Sequence, residues 1–276
     1  MRLLAAALLL AGPNLSALAD APVSLVVCAP GYPGTTEEAQ PSMDTLAAQL
    51  ARSAGLPPGA VAAVYLNGEE EGVARLRAPG ATVAMVPLPF YAKYAKTLAL
   101  RPRLTVVRQG AQGPLETWTL VAKKGRVGSP AALSGFILAS SAGYSPAFVR
   151  GALAGWGPLP PDVKVVASNQ VLSSLRRAAA GEGVAVLLDP EQAAALPGLP
   201  FASDLEVVAR SPPMPGAFVT TVGAGFAEAR WKVLEKGLLT LNSEPQGTEV
   251  LGAVRLESFA PLSPEALSLA NHLVTP

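Results

Sequence analysis

Short apolar runs alternate along the chain with longer segments whose apolar positions recur every three or four residues. The runs Val23–Cys28, Val61–Leu66 and Ala81–Val86 predict buried strands. Between the first two, Met43, Leu46, Ala47 and Leu50 share one face of a helix predicted over Ala39–Ala54, which Gly55-Leu56-Pro57-Pro58-Gly59 ends. A short helix is predicted over Gly72–Arg77, and further strands over Leu104–Gln109 and Thr117–Ala122.

The alternation then restarts. Phe136–Ala139, Val163–Ala167 and Val184–Leu188 read as strands, with helices predicted from the Ser140-Ser141 turn to about Leu153 and over Gln170–Ala180. Leu205–Ala209 and Phe218–Val222 add strands, and Ala227–Asn242 and Gln246–Leu251 add helices. Strand–helix alternation in two successive blocks predicts an α/β protein with two lobes, each built on a mixed, mostly parallel sheet flanked by helices. The polar stretch Lys123-Lys124-Gly125-Arg126 marks the crossover between them, and Ser211-Pro212-Pro213-Met214-Pro215-Gly216 marks the return. The expected division is residues 20–122 for the first lobe, 123–205 for the second, and 206–276 for a segment that completes the first.

The N-terminus changes the picture of where the protein works. One basic residue, Arg2, precedes an apolar run from Leu3 to Gly12, and Ala17-Leu18-Ala19 supplies a small-x-small cleavage pattern before Asp20. That order predicts a secretory signal over residues 1–19. The run is shorter than the roughly 20 residues a membrane span needs. The expected location is the periplasm.

Composition narrows the chemistry. Twenty-one basic and twenty acidic residues leave the chain almost neutral, which gives no electrostatic case for nucleic acid. The lone cysteine, Cys28, falls inside a predicted strand and reads as a small buried residue. The only histidine, His272, sits near the C-terminus, a poor place for a catalytic base. No Cys/His cluster or Walker-type loop is present in the sequence, so neither a metal nor another cofactor is expected. Glu69-Glu70-Glu71 reads as a solvated loop, because consecutive side chains do not converge.

Candidate binding residues cluster after strands, where open α/β sheets gather ligands. Tyr32, Tyr91 and Tyr144 each follow a different predicted strand. Ser140 and Ser141 stand where a strand is predicted to run into a helix, whose free N–H groups would add to their hydroxyls as an anion site.

Three segments together resemble the periplasmic phosphonate/phosphate-type solute-binding proteins of ABC transporters, which have the type 2 periplasmic-binding fold. They are Gly80–Tyr91, Ser140–Tyr144 with Pro146, and Met214-Pro215-Gly216 followed by Leu238–Leu241, Gly247, Leu251 and Phe259. The resemblance implies a non-enzymatic, monomeric binding protein whose lobes close by a hinge on a small ligand and deliver it to an ABC permease. It implies ligand contacts from Tyr32, Tyr91, Ser140, Ser141, Tyr144 and Asn169. The sequence departs from the family pattern at Thr82, Ala142, Asn169 and Val184, which leaves a small oxyanion and a more apolar molecule both open as ligands. Two other uses of the fold remain: a ligand sensor without transport, and a carboxylate-dependent enzyme drawing on Glu182 or Asp189.

Overall fold

A computed structural model describes residues 21–274, so the signal expected over residues 1–19 lies outside the described residues. No helix among the described residues is long and apolar enough to cross a membrane.

The first sheet starts with β1 (Val23–Cys28), β2 (Val61–Leu66) and β3 (Val83–Pro87), joined in parallel around a central β1. Helix α1 (Thr36–Ser53) links β1 to β2. It begins at a capping box in which Thr35 Oγ1 accepts from the Glu38 N–H and Glu38 reaches back to the Thr35 N–H, satisfying two otherwise orphaned donors. Its buried face carries Met43, Leu46, Ala47 and Leu50. Helix α2 (Glu69–Arg77) links β2 to β3, and α3 (Leu88–Tyr94) follows β3. The glutamate triplet is therefore the first turn of α2 rather than a loop. Acidic side chains there oppose the positive end of the helix.

The sheet is completed by β4 (Leu100–Arg108), which runs antiparallel to strands that come from the far end of the sequence. After a short β5 (Leu115–Glu116) the chain enters the second sheet at β6 (Thr119–Lys123). That sheet contains β7 (Ile137–Ser140), β8 (Lys164–Ala167), β9 (Val184–Leu188) and β10 (Leu205–Arg210), in the order β10-β6-β9-β7-β8. Helices α4 (Pro146–Ala152), α5 (Val171–Ala179) and α6 (Pro190–Ala195) connect its strands. The return passes through β11 (Met214–Pro215), which pairs with β5, and reaches β12 (Ala217–Val222) in the first sheet. Helices α7 (Glu228–Thr240) and α8 (Pro245–Ala253), strand β13 (Leu256–Pro261) and helix α9 (Pro264–Val274) finish the described chain. The first sheet thus reads β13-β4-β12-β3-β1-β2.

Each sheet has a parallel part, β2-β1-β3 and β8-β7-β9, while the strands beside the crossings run antiparallel. The two crossings are residues 109–118 and 211–216, joined to each other by the β5–β11 ribbon. The divisions expected after residues 122 and 205 fall in or beside the second sheet instead. The polar stretch after Lys123 is a surface turn that follows β6, and charge alone does not distinguish a turn from a crossover.

Two apolar layers serve one lobe each. Leu25, Met43, Leu50 and Trp231 pack between the first sheet and α1, α7 and α8. Leu175 of α5 packs on Val121 and Val186 of the second sheet. A third layer is shared. It runs without a break from Val86 and Phe90 of the first lobe to Leu138 and Phe148 of the second, and takes in Ala270 of α9. Phe90 and Phe148 are fully buried. Burying such a side chain stabilises by about 1.5–3 kcal/mol, so the shared layer joins the two lobes through their cores.

Candidate functional site

The ends of β1 and β3 from the first lobe meet the end of β7 from the second. They enclose a cavity of about 10 Å³ lined by Pro30, Tyr32, Pro87, Pro89, Trp118, Ser141, Ala142 and Tyr144. That volume holds about one water. The close approach depends on glycine. Gly31 has φ +83°, and a Cβ there would stand 3.0 Å from the Ser141 carbonyl oxygen across the lobe boundary. Gly143 lies on the opposing turn, where a Cβ would come within 2.0 Å of the Val166 carbonyl oxygen. Only glycine lets the turn from Ser141 to Tyr144 sit against β8 and still reach the first lobe.

Three of the cavity residues carry polar atoms that are buried without a partner among the described residues: Trp118 Nε1, Ser141 Oγ and Tyr144 Oη. Buried polar groups are nearly always hydrogen-bonded. These three unpartnered polar atoms all belong to residues of one small cavity.

Behind Tyr32 lies a charged cluster. Arg108 donates from Nη2 to the Tyr32 hydroxyl, and its Nε stands 2.9 Å from Glu116 Oε1 as an ion pair. Its guanidinium carbon stands 5.1 Å from the Tyr32 ring centroid. Burial pushes the Tyr32 hydroxyl up to about 12, against the lowering effect of Arg108. Burial also raises the carboxyls of Glu116 and Asp189 above their usual range. Asp189, at the end of β9, caps α6 by accepting from the Gln192 N–H at 2.8 Å. The cluster therefore draws Tyr32 and Arg108 from the first lobe, Glu116 from a crossing strand and Asp189 from the second lobe.

A second tie crosses the boundary beside the cavity. Lys93 Nζ on α3 lies 2.6 Å from Glu69 Oε1 and donates to the Tyr144 carbonyl oxygen at 2.7 Å. Tyr94 donates to the same Glu69 oxygen at 2.7 Å. A first-lobe side chain thereby grips the backbone of the second-lobe turn.

Of the six residues expected from the sequence, Tyr32, Ser141 and Tyr144 line the cavity, and three do not. Ser140 is fully buried, and its hydroxyl donates to the Leu187 carbonyl oxygen at 2.8 Å and accepts from the Ala142 N–H, so it holds β7 to β9. Tyr91 packs edge-on against Phe218, with centroids 5.0 Å apart, inside the shared apolar layer. Asn169 is exposed beyond β8, the edge strand of its sheet. The anticipated helix start at Ser140-Ser141 is also displaced. Helix α4 begins at Pro146, because proline suits the first helical turn and the intervening residues form the turn that carries Tyr144. Arg108, Glu116 and Trp118 were not anticipated. They sit around one crossing segment, and a tryptophan there, one of three in the chain, was the available signal.

No family model matches the chain, and no curated protein matches it either. Solved structures do. XAC2383 from Xanthomonas citri bound to chloride ion superimposes with a TM-score of 0.71 at 17% identity, covering 91% of this chain and 96% of that one. A binding-protein component of an ABC phosphonate transporter from Pseudomonas aeruginosa gives 0.63 at 14% identity over 92% of this chain and 86% of its own. PhnD1 from Prochlorococcus marinus in complex with methylphosphonate gives 0.62 at 14% identity, covering 91% and 96%. Likeness at this level of identity speaks to architecture: the chain has the two-lobed α/β fold of the periplasmic solute-binding proteins.

Proposed function

We propose that this protein is an exported, periplasmic solute-binding component that encloses a small ligand between its lobes and presents it to an ABC permease in the inner membrane. The observation that carries the reading is the interlobe cavity, where both lobes and a crossing strand bring buried, unpartnered polar groups to one place. Ligand binding at a cleft between hinged lobes is the mode this architecture supports. The closed cavity admits about one water, so a larger solute enters only when the lobes part. The two-stranded β5–β11 ribbon is the natural hinge, since both crossings pass through it. Site roles for Tyr32, Trp118, Ser141 and Tyr144 follow from their place on the cavity wall.

The enzymatic alternative draws no support from the geometry. Glu182 and Asp189 flank β9, roughly 20 Å apart at strand rise, and Glu182 forms an exposed pair with Arg177 at 2.7 Å.

A thermal-shift screen of chemically diverse solutes, paired with native mass spectrometry, tests the proposal. A bound solute raises the melting temperature by mass action. The double substitution Trp118→Phe and Ser141→Ala should remove that stabilisation. Undiminished stabilisation in this variant would place the site elsewhere.

A further inference from the structure

We infer that the enclosed solute is a small organic cation bearing N–H donors, an ammonium or guanidinium, rather than an oxyanion. The inference rests on the solute-binding reading above and names the ligand class for the same cleft.

Three observations carry it. The first is a carboxylate with an unused oxygen. The Glu116 side chain is 5% exposed; its Oε1 is ion-paired with Arg108 Nε, while Oε2 is buried without a hydrogen-bond partner among the described residues. An ionised carboxylate only accepts hydrogen bonds, so what completes it must donate. Arg108 makes no hydrogen bond to that oxygen and donates to the Tyr32 hydroxyl instead. Gly216 fixes the carboxylate in place: a Cβ there would stand 2.3 Å from Oε1. The Gly216 carbonyl oxygen, between β11 and β12, accepts from the Leu88 N–H between the cavity residues Pro87 and Pro89.

The second is the sign of the local charge. Around the Tyr32 hydroxyl stand one cation, Arg108, and two carboxylates, Glu116 and Asp189. Lys93 and Glu69, on the other side of the cavity, cancel each other. Asp189 of the second lobe and Glu116 of the crossing segment share this one guanidinium, so when both are ionised the carboxylates outnumber the cations by one. Burial raises both carboxyls above their usual range, and a cation beside them favours the ionised form. A monocation restores balance, whereas an anion adds to the excess.

The third is the wall. No basic side chain lines the cavity, and its aromatic members are Tyr32, Trp118 and Tyr144. Ring faces attract cations, and two of these rings already do: Arg108 lies 5.1 Å from the Tyr32 centroid and Lys93 lies 5.9 Å from that of Tyr144. The serine pair that could have cradled an oxyanion is half committed, because the Ser140 hydroxyl is spent on Leu187 and Ala142.

The test uses the chain from Asp20 onward with two sets of probes at millimolar concentration. Methylammonium, guanidinium and putrescine are the cations; phosphate, methylphosphonate and acetate are the anions. Titration calorimetry reads binding, and small-angle X-ray scattering reads lobe closure. The expected result is binding and compaction with a cation, weakened roughly tenfold or more by Glu116→Gln, in line with a lost charged hydrogen bond. Binding of a cation with equal strength to that variant overturns the assignment. The wild-type comparison stands even if the variant does not fold. Compaction with an anion and none with a cation overturns the cation class while leaving the solute-binding reading intact. No response to any of the six probes also overturns the cation class. If a further panel of neutral sugars and amino acids gives no compaction either, the solute-binding reading fails with it.

Discussion

Replacing Lys93 with methionine should loosen the closed state without unfolding either lobe. Lys93 Nζ makes two contacts: one to Glu69 within the first lobe at 2.6 Å and one to the Tyr144 carbonyl oxygen of the second lobe at 2.7 Å. Only the second is lost when the lobes part. A hydrogen bond from a charged donor contributes about 1.5–3 kcal/mol when buried. The Lys93 side chain is 36% exposed, and solvent screening reduces such a contact to about 1 kcal/mol. That corresponds to about a fivefold shift in the closed-to-open ratio at room temperature. Apparent ligand affinity scales with the fraction able to close, so it should fall by a similar factor. The Lys93–Glu69 pair is surface-exposed, so the melting temperature should move by no more than about 4 °C. Methionine keeps the apolar stem against its neighbours, which isolates the charge. Scattering in the absence of ligand, calorimetry with ligand and a thermal melt together read all three quantities. An unchanged closed fraction with unchanged affinity would refute the assignment of Lys93 as an interlobe tie.

Three further outcomes follow from the geometry. Gly143→Ala places a methyl against the Val166 backbone at 2.0 Å; overpacking against rigid backbone costs about 3 kcal/mol, so a calorimetric melt should drop by about 6–12 °C, and a drop under about 2 °C contradicts the close approach. Burial pushes the Cys28 thiol up to about 12, so iodoacetamide at mildly alkaline pH should modify it only after denaturation; labelling of the folded chain at the rate of a free thiol would show that β1 is not buried. The Glu116 carboxyl is raised by burial, so it binds its proton more readily in the folded state than in the unfolded chain. Its contribution to stability is therefore fully present below the ordinary value of 4.5 and is lost as pH rises through the raised folded value. Glu116→Gln should flatten the melting-temperature profile in that window and match or exceed the parent protein at neutral pH; a steeper profile would contradict the sign.

The strands of the first lobe were legible because they read as unbroken apolar runs: Val23–Cys28 and Val61–Leu66 have the expected bounds. Helix α1 was legible from one apolar stripe, although its start at Thr36 depends on a capping box that periodicity does not reveal. Strand β13 and helix α9 were not anticipated. Leu256–Pro261 is an edge strand with polar positions, and α9 is helical because it packs on α3 and α4, contacts that a local pattern does not contain. Tyr32 and Tyr144, singled out by their position after strands, lie on the cavity wall. Ser140 was misjudged because a hydroxyl spent on a neighbouring strand looks the same in sequence as a free one. Arg108 and Glu116 were missed because the first ends a strand and the second belongs to a crossing segment, and only the topology brings them to Tyr32.

The central claim is that two lobes close on a solute between them, and the distance between the lobes measures it directly. Asp44 on α1 and Arg176 on α5 are exposed, one on each lobe, and the buried native Cys28 will not compete for label. Spin labels at Asp44→Cys and Arg176→Cys, read by pulsed dipolar spectroscopy, should show a broad or longer distance without solute and a single shorter distance when a binding solute is added. The same distance distribution with and without every solute that binds would contradict the account.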